Sequence, residues 1–353
     1  MKTRLLISFF LILLLTGTGV PSLGQEGLEK IEGEKKFDAS SFILEHIADS
    51  HEWHILTLQS GKNVAIYLPV ILYSREKGLD IFSSKKLADG NEYKGYKLEE
   101  EGDLQGKIVS VNTAGVADEK NLPIDFSMTK TVVGMLSAAI IGLLLFLSLS
   151  RSYKKSGISH PKGIQSFLEP VILFVRDDIA IPNIGVHKYE KYMPYLLSAF
   201  FFILINNLMG LIPFPPPFGA NVTGNIAVTF VLATCTFLIT QFSGNRTYWR
   251  HIFAAPGVPF WLLPIMIPVE IIGLFSKPFA LMIRLFANIT AGHIIVLSLI
   301  CLIFIFNSLS VAPVSIFFVI FMDFLELLVA FLQAYIFTLL SSLFIGMAIP
   351  ENH

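Results

Sequence analysis

From Phe260 to Phe306 the chain is apolar for 47 residues, interrupted by only three charges, Glu270, Lys277 and Arg284. As one helix this run would be roughly 70 Å long at 1.5 Å per residue, more than twice the bilayer's ~30 Å hydrocarbon core. A second run, Val314–Ile349, poses the same problem over 36 residues. Inside lipid every backbone polar group must be satisfied within the segment, so such runs are helices. Each is either one long, steeply tilted helix or a broken one, with Pro264, Pro268 and Pro278 as candidate breaks. Asn307–Pro313 between the runs is short, polar and proline-containing, which predicts a tilted hairpin.

Three shorter apolar runs precede the hairpin, at Met128–Ser150, Tyr192–Pro213 and Asn221–Phe242. With 53% hydrophobic and 15% charged residues and a mean hydropathy of +0.65, a soluble domain is excluded. The expected fold is an all-α polytopic membrane protein with about five crossings, ending in the long hairpin and preceded by a small β-rich domain. The spans are placed at about 128–150, 192–213, 221–242, 260–306 and 314–349. Arg151, Lys154, Lys155 and Lys162 follow the first span, and Arg246 and Arg250 follow the third, so both places are cytoplasmic by the positive-inside rule. The turn Phe214–Gly219 carries no Lys or Arg and belongs outside. Five crossings then leave the N-terminal side outside and the C-terminus in the cytoplasm. Residues 160–180 mix apolar positions with Glu169, Arg176, Asp177 and Asp178, which predicts a helix on the membrane surface.

Residues 1–24 have the pattern of a cleavable signal peptide: Lys2 and Arg4, an apolar core Leu5–Leu15, and a small-residue site at Ser22-Leu23-Gly24. The alternative, an uncleaved membrane helix, suits the short apolar core less well. Residues 25–127 are charged and without a long apolar run, hence an exported domain. A helix is expected around Ser40–His51, and β-branched stretches at His54–Leu58, Val64–Ile71 and Lys107–Val111 read as strands. His46, His51 and His54 read as solvated histidines rather than a metal site, because no acidic or cysteine partner shares a ligand spacing. Cys235 and Cys301 both fall in apolar runs and support neither a disulfide nor a thiolate site. Nothing in the sequence calls for a cofactor, a metal or a nucleic acid.

Glu270, Lys277 and Arg284 recur every seven residues and share one helical stripe if the helix continues through Pro278. Asn288 extends the stripe, whereas His293 lies half a turn away from Arg284. On the second arm Asp323, Glu326 and Gln333 occupy offsets of three and seven. Residues that face each other in an antiparallel hairpin have numbers with a constant sum. Arg284 with Gln333 gives 617 and His293 with Glu326 gives 619, both consistent with a turn near residue 309. Two polar levels are therefore expected: Arg284, Asn288 and Gln333 near mid-membrane, and His293, Glu326 and Asp323 nearer the outside, with Glu270 toward the cytoplasm. Lys277 is read as snorkelling to an interface, and Asn206 and Asn207 as helix-packing glue. Burying an arginine costs at least about 2.5 kcal/mol on insertion scales. Arg284 faces no acid at its own level, so its partner belongs to another subunit or to a mobile proton site.

RLFANITAGH (284–293), LELLVAFLQAYIF (325–337), INNLMGLIP (205–213) and SKPFALMIRLFANITAGH together resemble the a subunit of F-type ATP synthase, over about residues 128–350. That resemblance implies a non-catalytic stator subunit of the proton channel in a bacterial-type plasma (inner) membrane. The implied partners are rotor-ring c subunits bearing a mid-membrane carboxylate, peripheral-stalk b subunits and, indirectly, the soluble ATPase sector. It further implies that Arg284 faces the ring carboxylate, with Asn288 and Gln333 beside it. Glu270 then lies on the exit side, and His293 and Glu326 line the outer half-channel. Asp323, Lys277, Asn206 and Asn207 are additional candidates. Gly210 stands where some relatives have an acid, and the resemblance assigns residues 25–127 no role. Two rivals are weighed against it. A secondary transporter holding an anionic substrate at Arg284 would favour internal repeats, and a purely structural anchor would leave Arg284, Asn288, Glu326 and Gln333 unexplained.

Overall fold

The computed structural model describes residues 38–57, 63–75, 77–99, 104, 106–111, 122–156, 163–212, 215–253, 259–306, 308 and 310–349. The expected signal peptide 1–24, Lys162, the turn residues Pro213 and Phe214, and Asn307 lie outside the described residues. The elements below belong to the unit that begins at Ala39.

A short helix α1 (Ala39–Ile47) leads into seven described strands: β1 (Glu52–Thr57), β2 (Asn63–Tyr67), β3 (Pro69–Ser74), β4 (Gly78–Ser83), β5 (Tyr96–Leu98), β6 (Ile108–Ser110) and β7 (Ile124–Asp125). All pairings are antiparallel, as β1–β2, β4–β3–β7 and β5–β6. The expected stretch at 64–71 is two strands, β2 and the start of β3, separated at Leu68. The strands β5 and β7 are too short, and β4 is too mixed in composition, to stand out in the sequence. Val70, Leu72, Phe82, Tyr96 and Ile108 alternate inward along them and meet in a small core.

This region is tied to the first membrane helix, α2 (Lys130–Ser156). Lys130 N donates to Ser50 O at 2.9 Å, and Thr131 N donates to Asp49 Oδ1 at 3.0 Å. An acidic side chain 82 residues upstream thus caps the Thr131 amide at the helix N-terminus, and the Ser50 carbonyl takes the amide before it. Beside it His51 Nε2 lies 3.1 Å from Asp125 Oδ2, and Ser127 N donates to Asp125 Oδ1 at 2.8 Å. Burial works against the Asp125 charge, but the His51 and Ser127 hydrogen bonds outweigh it and hold the carboxyl below its ordinary 3.8. A lowered carboxylate stabilises the fold above its unfolded value and ceases to do so as pH falls through the folded one. Amide protection factors across 69–74 and 122–131, with intrinsic exchange divided out, are therefore expected to fall as pH drops below about 4, and Asp125→Asn should flatten that acid limb. An unchanged limb would remove Asp125 from the account.

Five described helices are long and apolar enough to cross a membrane. After α2 come α3 (Ile164–Phe174), which continues through a π-helical turn (Val175–Ala180) into α4 (Ile181–Ile184), and then α5 (Tyr189–Leu211), α6 (Ile226–Ser243) and the short α7 (Arg246–Phe253). The hairpin is α8 (Leu263–Phe306) and α9 (Ala312–Ala348). Of the two alternatives the continuous helix is found: α8 runs unbroken through Pro268 and Pro278. Pro264 lies in its first turn, where a missing N–H leaves nothing unpaired. At 44 residues this helix is about 66 Å long and apolar at both ends, so it lies steeply tilted in a bilayer.

The membrane helices converge on Leu196, Phe200 and Ile203 of α5, Leu281 and Leu285 of α8, and Phe337 and Ile345 of α9. Val175 and Ile179 of the π turn join the same core, so the expected surface helix is anchored on its buried side. Ser342 Oγ donates to Ile179 O there at 3.0 Å. Close by, Gly346 lies against Asn183, and a Cβ at 346 would run into the Asn183 carbonyl. Because the obstacle is backbone, Gly346→Ala should destabilise this junction by about 1–3 kcal/mol. Thermal unfolding of the purified chain in detergent measures that loss, and an unshifted midpoint would contradict the packing.

Candidate functional site

Arg284 lies at the middle of α8 and is exposed, as are its neighbours Ile283, Ala287 and Asn288. It makes no hydrogen bond or ion pair among the described residues. Along the same side, Val269, Ile272, Phe275 and Phe279 are exposed apolar side chains. A permanently charged fork therefore projects from an uncovered apolar face. Glu270 and Lys277 are half-buried toward the N-terminal end of the helix, and the Lys277 ammonium sits 5.8 Å from the Phe344 ring centroid.

His293 lies nine residues on, half a turn round and about 14 Å further along the axis. Its Nδ1 is 2.9 Å from Glu326 Oε1, within ion-pair distance but off the line of a hydrogen bond. The constant-sum register thus brings this pair of side chains together. For the other pair it does not: Gln333 is buried at 3% exposure while Arg284 points outward. The sum fixes the level along a hairpin and says nothing of the azimuth. Asp323 likewise is exposed, whereas Glu326, one turn on, is buried.

The carboxylate reaches its place because position 292 is glycine. A Cβ there would stand 2.9 Å from Glu326 Oε1 and 3.1 Å from its Cδ. Around the pair lies a narrow, tightly packed crevice, lined by Asn206, Asn207, Gly210, Ala220–Thr223, His293 and Glu326. Asn207, read from sequence as packing glue, bridges three elements here. Its amide donates to Ala330 O at 3.1 Å, and its Oδ1 accepts from Thr223 Oγ1 at 2.6 Å. Asn206 Nδ2 donates to Phe202 O at 2.7 Å. Three buried polar atoms that line the crevice, Asn206 Oδ1, Asn221 Nδ2 and Glu326 Oε1, have no hydrogen-bond partner among the described residues. Unpaired buried polar groups are costly and rare, and their convergence marks a place where hydrogen-bonded traffic is expected. Thr223 and Gly210 were not anticipated, because they come from a loop and a helix outside the hairpin that the register describes.

A second, mostly apolar crevice lies toward the N-terminal end of α8, between Phe237, Leu274 and Phe344, with Thr240, Gln241, Tyr248 and Lys277 at its wall. Burial pushes the Tyr248 phenol above its ordinary 10.0, against the Gln241 hydrogen bond, and the Glu270 charge adds to the rise. Glu270 is therefore within electrostatic reach of this crevice. His46 and His51 do not converge: His46 Nδ1 lies 2.9 Å from Phe42 O, and His51 turns to Asp125.

These features define a multi-pass membrane protein with an unpaired arginine on one side of a helix and a buried imidazole–carboxylate pair on the other. The chain belongs to the ATP synthase A chain family, whose model matches residues 132–346. A domain of unknown function matches residues 42–127. The chain is 51% identical over 236 residues to ATP synthase subunit a of Chloroherpeton thalassium, covering 65% of this chain and 69% of that protein. It is 52% identical to ATP synthase subunit a 2 of Chlorobaculum tepidum, covering 65% of each. To the subunit a of Myxococcus xanthus it is 47% identical, covering 65% of this chain and 75% of that protein. The chain thus spans about two thirds of the length of the relatives it matches. The rival reading as a secondary transporter finds no support in these likenesses.

Proposed function

We propose that this chain is the proton-translocating stator subunit of an F-type ATP synthase, non-catalytic by itself and active only in the complex. The observation that carries the reading is the exposed, unpartnered Arg284 at mid-helix, in a chain of this family. Its partner is a carboxylate on the rotor ring. A positive charge held beside that carboxylate favours the ionised form, so a ring site arriving protonated gives up its proton there. The same charge bars direct passage of protons between the two half-channels.

Protons reach the ring from the outside by way of His293 and Glu326, an imidazole and a carboxylate that can each take up and hand on a proton. They leave toward the cytoplasm past Glu270, with Lys277, Gln241 and Tyr248 beside the exit. Each elementary charge crossing 100 mV releases about 2.3 kcal/mol, so several must pass for each ATP made. The chain sits in a bacterial-type inner membrane, a reading that its family supports, and the basic residues after the first and third spans support an orientation with residues 25–127 outside and the C-terminus in the cytoplasm. Peripheral-stalk subunits hold it still while the ring turns.

Purification of the tagged chain in mild detergent tests this. An ATP-hydrolysing soluble sector and a small hairpin subunit with a mid-membrane Asp or Glu should come with it. Recovery of the chain alone, from membranes in which such an ATPase is active, would overturn the assignment.

A further inference from the structure

The strand-rich region takes no direct part in the proton path described above, yet its contacts reach that path. Trp53 of β1 is 6% exposed and packs with Leu68 against Ala220 and Val222, in the loop between α5 and α6. The helix α2 meets the same two residues at Gly134, where a Cβ would stand 2.8 Å from both Ala220 Cβ and Val222 Cγ2. The loop is therefore held by two jaws, the Trp53 indole and the stretch of α2 around Gly134, whose neighbours Val133 and Met135 join the same cluster. The two jaws are joined to each other, because Asp49 and Ser50, just before β1, bind the first amides of α2. What they grip is part of the crevice wall. Ala220–Thr223 lines it with His293 and Glu326, and Thr223 sets the orientation of Asn207 through a 2.6 Å hydrogen bond.

We propose that the strand-rich region is a clamp that sets the geometry of the outer proton crevice, with Trp53 as a positioning residue acting through the 220–223 loop. The proposal rests on the reading of that crevice as the outer half-channel. Proton transfer needs donors and acceptors within hydrogen-bond reach, so a loop displaced by about 1 Å is enough to slow it severely. Removing the indole leaves a void beside Ala220 and Val222 and frees the loop to shift. Adding a methyl at Gly134 pushes directly on Ala220 and Val222 of the same loop.

The test uses membrane vesicles holding the whole complex, with ATP-driven proton pumping measured first and passive proton conductance after removal of the soluble sector. Trp53→Ala should lower both by about tenfold at a normal level of the chain in the membrane, and Trp53→Phe should retain most of each. Gly134→Ala should give a comparable loss. Ala220→Gly with Val222→Ala, which removes the atoms that the new methyl meets, should restore the rate. That rescue separates positioning from a general loss of stability, and it decides the matter alone where Trp53→Ala fails to assemble. Wild-type rates in Trp53→Ala and Gly134→Ala, with Arg284→Ala inactive, would overturn the clamp and leave the proton path standing. Full pumping in Arg284→Ala would overturn the path and the clamp with it.

Discussion

Replacing Arg284 by alanine is expected to abolish ATP-driven proton pumping while leaving the chain in the membrane. Arg284 is exposed on an apolar helix face and holds no partner among the described residues, so its removal breaks no internal contact. Its loss should therefore cost function far more than folding. The size of the effect follows from electrostatics. Two unit charges 4 Å apart interact by about 4 kcal/mol at an effective dielectric of about 20. A bias of that size favours the ionised ring carboxylate by about three orders of magnitude. Without it a protonated ring site has little reason to release its proton to the exit, and the barrier between the two half-channels is gone. Pumping followed with a pH-sensitive dye in inverted vesicles should show no signal above background, with the mutant chain present at its normal level on a blot.

The second large effect belongs to the buried pair. Glu326→Gln keeps the shape of the side chain and removes its ability to carry a proton, and His293→Ala removes the other half of the relay. Each should slow proton flow by about 10- to 100-fold, in line with what a positioned acid or base contributes, while the complex assembles normally. Gly292→Ala should act in the same direction without touching either titratable group. A Cβ at 292 would press on Glu326 Oε1 at 2.9 Å and turn the carboxylate away from His293. Wild-type flow in both Glu326→Gln and His293→Ala would show that protons reach the ring by another route.

The parts of this molecule that were legible in the sequence share one property: they depend on spacing along a single helix or across a single turn. Long apolar runs give five membrane helices, and the basic residues Arg151, Lys154, Arg246 and Arg250 suggest their direction. Antiparallel register brings His293 to Glu326 because one short turn joins their helices. The same arithmetic failed for Gln333, whose azimuth on α9 is set by what covers it. Gln333 lies one turn beyond Ala330, on the side where α9 receives the Asn207 hydrogen bond from α5. Contacts between distant segments left no periodic signal. Neither the Asp49 cap on α2 nor the Asn207–Thr223 bridge could be read from spacing, and the partner of His51 is 74 residues away. Pro278 left the choice between a broken and a continuous helix open, because a missing backbone donor inside a long membrane helix need not end it.

The central claim is that the Arg284 face of α8 borders a moving ring of carboxylate-bearing helices. Its most direct test is a cross-link. In a chain with Cys235 and Cys301 replaced by serine, Ala287→Cys is placed on the exposed face next to Arg284. A second cysteine is placed one turn from the carboxylate of the ring subunit. Mild oxidation is expected to join the two chains in a dimer of subunit a and ring subunit, and to stop ATP hydrolysis from pumping protons until the bond is reduced. Absence of that dimer, in membranes whose complex pumps normally before oxidation, would contradict the claim.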